Sequence, residues 1–145
     1  MMAEEQKSLN QIIQYRKEKL KKLVENGVNP FPYKFEPSHK SLEIINNFDT
    51  LEGRSIKIAG RLMAIRKMGK ASFAQILDQD GKIQIFIKEN NIGNDNYKNF
   101  NLLDIGDIVG VSGKVFKTKT NEISINTSEL TILAKSIRPL PIVKR

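Results

Sequence analysis

Ser72-Phe73-Ala74-Gln75-Ile76-Leu77-Asp78-Gln79-Asp80-Gly81-Lys82-Ile83-Gln84-Ile85-Phe86-Ile87-Lys88 reads as two strands and the turn between them. Ile83, Ile85 and Ile87 alternate with Lys82, Gln84, Phe86 and Lys88, the two-residue period of a strand with one dry face. The isoleucines take that face, so Gln84 points out. In the preceding strand Ala74 and Ile76 share the inward parity, which turns Phe73 outward as an exposed aromatic. Asp78-Gln79-Asp80-Gly81 is a hairpin signal, and its carboxylates are better explained as turn chemistry than as a metal site.

Outward from this hairpin the same period recurs. A first strand covers about Ser55 to Ile65, a fourth Ile108 to Lys117 and a fifth Glu122 to Leu133. In the fifth, Ile123 and Ile125 face in, so Glu122, Ser124 and Asn126 face out. Gly60, Gly110 and Gly113 fall inside strands, where bulges or sharp coiling are expected. Between the third and fourth strands Tyr97, Phe100, Leu102 and Leu103 fit a short helix or a turn-rich crossover. Three strands, a helix and two strands is the order of the OB-fold, a mainly β, five-stranded Greek-key barrel that closes its own edges.

Upstream, the first seven residues read as a disordered start. Ser8 is placed to cap a helix reaching about Asn26, with Leu9, Ile12, Ile13, Leu20, Leu23 and Val24 as its apolar stripe. Arg16, Lys17, Lys19, Lys21 and Lys22 occupy the opposite faces. Gly27 is placed for a C-terminal cap, and Asn29-Pro30-Phe31-Pro32-Tyr33 is an extended joint. A short helix is expected from Ser41 to Phe48, with Leu42, Ile45 and Phe48 on one side. The division is then a basic helix and its exit (1–30), a connecting segment (31–54), the barrel (55–135) and the start of a linker (136–145).

A chain of 145 residues buries enough surface to fold without staples. It has no Cys and one His, His39, which excludes disulfide scaffolds, cysteine nucleophiles and iron–sulfur clusters. The net charge of +8 points to a polyanionic partner. No apolar run approaches a membrane span and the N-terminus has no signal-peptide core, so a cytoplasmic, non-membrane protein is expected. Gly69-Lys70-Ala71-Ser72 resembles the end of a P-loop, but Ala64 stands where its first glycine belongs. His39 follows Pro37-Ser38 in a loop, and a capping or packing role suits it better than catalysis.

The outer face of the first three strands therefore offers an aromatic plate, an amide and the cations Arg61, Arg66, Lys67 and Lys70. That set suits unstacked RNA bases. A ring such as Phe73 stacks on any base, worth about 1–3 kcal/mol. The Gln84 amide donates and accepts at once, as a uracil Watson–Crick edge requires. A carboxylate such as Glu122 accepts from base N–H groups and repels phosphate, so it reads bases rather than adding affinity.

Several blocks in order carry a family resemblance. They include Gly60-Arg61-Leu62-Met63, Arg66-Lys67-Met68-Gly69-Lys70-Ala71-Ser72-Phe73, Gly81-Lys82-Ile83-Gln84, Leu103-Asp104-Ile105-Gly106-Asp107 and Ser136-Ile137-Arg138-Pro139-Leu140-Pro141. Together they resemble the N-terminal anticodon-binding domain of class II lysyl-tRNA synthetase. The resemblance implies that Phe73 stacks on the central anticodon base, Gln84 reads it, and Glu122 reads a neighbour. Arg61 and Arg66 match basic positions of the first strand. Lys117, Lys119, Lys70, Arg16 and Lys17 are candidates for the tRNA backbone. The family usually has Gly where this chain has Asn121, a residue that tolerates positive φ. The parent implied is a cytoplasmic, homodimeric ligase that uses ATP and Mg²⁺ to attach lysine to tRNA. The resemblance places its catalytic domain beyond Pro141, so this chain is expected to bind no cofactor and to have no catalysis of its own. Three alternatives share the residue pattern: the equivalent domain of an aspartyl or asparaginyl enzyme, a free-standing single-strand-binding OB-fold, and an assembly module acting through the N-terminal helix.

Overall fold

The computed structural model describes residues 2–28 and 35–136. The joint at Asn29–Tyr33 and the linker from Ile137 onward lie outside the described residues. Helix α1 spans Met2–Glu25, α2 Ser41–Asn46 and α3 Phe48–Leu51. The strands are β1 Ser55–Met68, β2 Ala71–Leu77, β3 Lys82–Lys88, β4 Ile108–Lys117 and β5 Ile123–Ala134. Two short helices, α4 Glu89–Ile92 and α5 Asn94–Phe100, lie between β3 and β4. The strands close into a barrel in the order β1-β2-β3-β5-β4, with every pairing antiparallel except β3 with β5. This is the expected five-stranded OB-fold barrel behind an N-terminal helix.

The interior follows the period-two reading. Ala74 and Ile76 of β2 and Ile83, Ile85 and Ile87 of β3 are buried, and Val109, Val111, Val115 and Ile125 meet them from the far wall. Phe100 and Leu103 plug one end. The turn after β2 is built on Asp78. Its Oδ1 accepts from the backbone N–H of Asp80 and Gly81, and its carboxylate also accepts the N–H and hydroxyl of Ser41. One side chain thus fixes the hairpin and pins α2 to it.

Four expectations are corrected. The chain is helical from Met2, so Ser8 lies within α1 rather than capping it. The buried residues of α2 are Ser41 and Ile44, while Leu42 and Ile45 stand exposed. A bulge occurs in β1 between Leu62 and Ala64, where no glycine marks it, and not at Gly60. Gly110 has no bulge either: it is the floor on which Phe35 lies, and a Cβ there would stand 2.6 Å from the ring. Gly113 does sit at a register shift, where a Cβ would run into the Asn126 carbonyl.

The helix face is also corrected. The sequence puts Arg16 on the solvated side of α1, but it is buried against the barrel, with Leu23 on the same face. The reason is a carboxylate distant in sequence. Asp104 in the α5–β4 turn accepts from Lys19 at 2.8 Å and lies 3.9 Å from Arg16 Nε. Leu9 and Ile12, upstream on α1, remain exposed.

Candidate nucleic-acid interface

On the outer face of β1, β2 and β3 lies a cavity of about 680 Å³. Its floor is aromatic. Phe73 and Phe86 are directly paired across β2 and β3, with ring centroids 4.8 Å apart. Phe116 of β4 meets Phe86 edge-on at 6.3 Å. Phe73 is half-buried rather than exposed, because its ring rests on Phe86 and so cannot stand free in solvent. A ring supported on one face is a rigid plate for a second ring on the other.

Gln84 also lines the cavity. Its Nε2 donates to Ser124 Oγ at 3.0 Å, and that hydroxyl donates to the Glu122 carbonyl at 3.2 Å. The chain of bonds leaves the Gln84 Oε1 and one N–H for a ligand. Ser124 has the outward parity expected, yet it is fully buried. The register explains it: Ser124 sits between Gln84 on β3 and Phe116 on β4, and both larger side chains cover it.

The β1 bulge decides which cations join. Arg61 opposes Leu77 and Arg66 opposes Phe73, both on the outer face. Five residues apart, they would face opposite sides of a regular strand. Met63, the extra residue between Leu62 and Ala64, resets the parity. Arg66 lines the cavity beside Phe73, whereas Arg61 lies at the other end of the β1–β2 pairing and does not. The far rim is the turn Thr118-Lys119-Thr120, which brings the Lys119 side chain to the cavity. That turn is held by the Thr118 N–H donating to the Glu122 carbonyl and the Glu122 N–H donating to the Thr118 hydroxyl, and it closes through Asn121 at φ 66. Asn121 therefore takes the positive φ that its residue type tolerates.

The remaining candidates scatter. Glu122 is exposed at the base of that turn and does not line the cavity. Lys117 places its ammonium over the Phe48 ring at 4.6 Å, away from the aromatic floor. Lys70 is exposed at the tip of the β1–β2 hairpin and Lys17 on α1. Arg16 is buried, as described. Phe86 and Phe116 were not singled out from the sequence, although Phe86 shares the parity of Gln84 and Phe116 alternates with the inward Val115.

The cavity is thus a stacking plate, an oriented amide and two cations on a closed barrel. Among the described residues no three His, Asp or Glu side chains cluster as a metal site, and no helix is long and apolar enough to cross a membrane.

Residues 56–140 match the model of the OB-fold nucleic acid binding domain. The chain is 52% identical over 137 residues to a lysine–tRNA ligase of Carboxydothermus hydrogenoformans, covering 94% of this chain and 28% of that protein. It is 49% identical over 132 residues to the lysine–tRNA ligase of Moorella thermoacetica, covering 91% and 27%, and 47% identical over 148 residues to that of Clostridium kluyveri, covering 97% and 30%. The chain therefore spans less than a third of the length of the curated relatives it matches. With the barrel and the family match over most of the strands in agreement, the chain belongs to the family of OB-fold nucleic acid binding domains.

Proposed function

We propose that this chain is the anticodon-loop binding domain of a lysine–tRNA ligase. The observation that carries the reading is the shared cavity: the Phe73 plate and the Gln84 amide face one open space, flanked by Arg66 and Lys119. A base flipped out of the loop stacks on Phe73 and meets the free Oε1 and N–H of Gln84, which match a uridine edge. Arg66 and Lys119 lie on opposite rims, placed for the phosphates on either side. Glu122, Arg61, Lys70, Lys117 and Lys17 are assigned weaker, peripheral roles, and Arg16 acts from its buried position. The binding unit is the barrel, residues 55–135, behind the helix at 1–30 and the connection at 31–54. Residues 136–145 begin the link to the rest of the parent.

The parent would be a cytoplasmic, homodimeric enzyme that attaches lysine to its tRNA. ATP and Mg²⁺ would be taken by the parent's catalytic domain, which the resemblance places outside this chain. The relatives named above are lysine enzymes, which favours lysine over the aspartyl and asparaginyl alternatives.

Titration of the protein against stem-loops bearing a lysine anticodon, an aspartate anticodon and a scrambled uridine-poor loop tests the reading. Tightest binding to the lysine loop is expected. Equal affinity for all three would reduce the chain to a strand binder without sequence choice, and preference for the aspartate loop would reassign its specificity.

A further inference from the structure

A second cleft, of about 470 Å³, adjoins the first, with Ile65 in the wall of both. Its sides come from three places in the chain: Arg16 and Lys19 of α1, Lys67 near the end of β1, and the Leu103–Ile105 turn. Three cations face it. The acid in the wall, Asp104, has both oxygens engaged, Oδ1 by Lys19 at 2.8 Å and Oδ2 by Lys135 at 2.7 Å. Lys135 in turn meets the buried Asp107 at 3.0 Å. The two acids match two of the four cations, so a surplus of positive charge remains at the cleft.

Arg16 is the sharper observation. It is 9% exposed, and its Nη1 has no hydrogen-bond partner among the described residues. Its Nε stands 3.9 Å from Asp104, too far for a hydrogen bond. A buried guanidinium N–H without an acceptor is penalised. Leu or Met would fill the same space without that cost, so packing alone does not account for an arginine here.

We infer that this cleft seats a phosphate group, and that the group is a backbone phosphodiester of the RNA whose base lies on Phe73. One planar guanidinium and two ammonium groups are suited to hold a tetrahedral oxyanion. Arg66 lines the base cavity and Lys67, the next residue, lines this cleft. A strand leaving the base cavity over the β1 edge reaches it directly. The assignment to RNA rests on the proposed function. Free inorganic phosphate has the same chemistry and is the competing source.

The experiment has two arms. In the first, a lysine anticodon stem-loop carrying a fluorescent purine analogue next to the stacked base is titrated across a salt series. Lys67→Gln should reduce the slope of log K against log salt by about 0.7 and weaken binding about fourfold at 0.15 M salt. The fluorescence change on stacking should persist. Lys114→Gln, an exposed site on β4 that lines neither cleft, controls for loss of one charge and should leave the slope unchanged. In the second arm, inorganic phosphate is titrated into RNA-free protein while the Arg16 Nε–Hε resonance is followed. A saturable shift abolished by Lys67→Gln, with the RNA slope unaltered, would assign the seat to free phosphate and overturn the RNA source. An unaltered slope with no phosphate shift overturns the seat altogether. If wild-type protein binds no stem-loop, the proposed function fails, and the second arm still decides whether the cleft holds phosphate.

Discussion

At the scale of single residues the argument turns on Phe73. Its ring is backed by Phe86, so truncation removes the plate and leaves the barrel wall intact. Phe73→Ala should weaken stem-loop binding by about 1–3 kcal/mol, read by a titration at fixed salt. The melting temperature should fall by only a few degrees, because the side chain is half-buried and off the core. Retention of full affinity in that variant would overturn its role as the stacking plate. Phe73 and Gln84 were legible from parity alone, since one dry face in each strand fixes the other. Ser124 was legible in direction but not in burial, which depends on a β3–β5 pairing about 40 residues apart in sequence. Arg16 was misplaced for the same reason: no helical periodicity announces that Asp104 will stand beside it. That Arg61 and Arg66 share the outer face depends on the extra residue Met63, and a bulge without glycine leaves no mark in composition.

At the scale of elements, α1 is held to the barrel by charge as well as by Leu23. Burial pushes the Asp104 carboxyl up, but the ammonium groups of Lys135 and Lys19 outweigh it and hold the carboxyl below its ordinary value. A carboxyl depressed in the folded state stabilises the fold at pH values above its unfolded pKa of about 3.9. That contribution is lost as pH falls through the lower, folded value. Acid titration of the circular-dichroism signal should therefore show destabilisation beginning near pH 4. Asp104→Asn should remove that part of the pH dependence and cost about 1–2 kcal/mol at neutral pH, since Lys19 and Arg16 lose their charged partner while Lys135 keeps Asp107. A variant as stable as wild type at neutral pH would show that the cluster contributes nothing to docking. The turn before β5 gives a second check. Asn121 sits at φ 66, a conformation that favours glycine. Asn121→Gly should stabilise by up to about 1 kcal/mol and Asn121→Val should destabilise by more than about 1 kcal/mol, both measured by thermal melts. The opposite order would mean that the turn is not held in that conformation in solution. Strand number and order were legible because each strand buries one face. The buried faces of α1 and α2 were not, because Arg16 and Ile44 are covered by residues distant in sequence rather than by the helices' own stripes.

At the scale of the whole molecule, the net charge of +8 and the stacking plate make separable contributions, and salt distinguishes them. Cations that neutralise phosphates release counterions, so affinity falls with salt by a slope of about −0.7 per contact on single strands. Arg66, Lys119, Lys67 and Lys19 line the two clefts. Arg66, Lys119 and the one phosphate of the second cleft make three such contacts, which would give a slope near −2, or roughly a twenty-fold loss of affinity between 0.05 and 0.2 M salt. Stacking on Phe73 releases no counterions. Phe73→Ala should therefore lower the whole line in parallel, while Arg66→Gln or Lys119→Gln should flatten it, so that their lines rejoin wild type at high salt and the Phe73→Ala line does not. A flat line for wild-type protein would separate the positive charge from the binding surface, and parallel lines for every variant would deny Arg66 and Lys119 any phosphate. A shallower slope for the rim variants beside a parallel drop for Phe73→Ala would place base recognition on the closed barrel's aromatic floor and affinity on its rim.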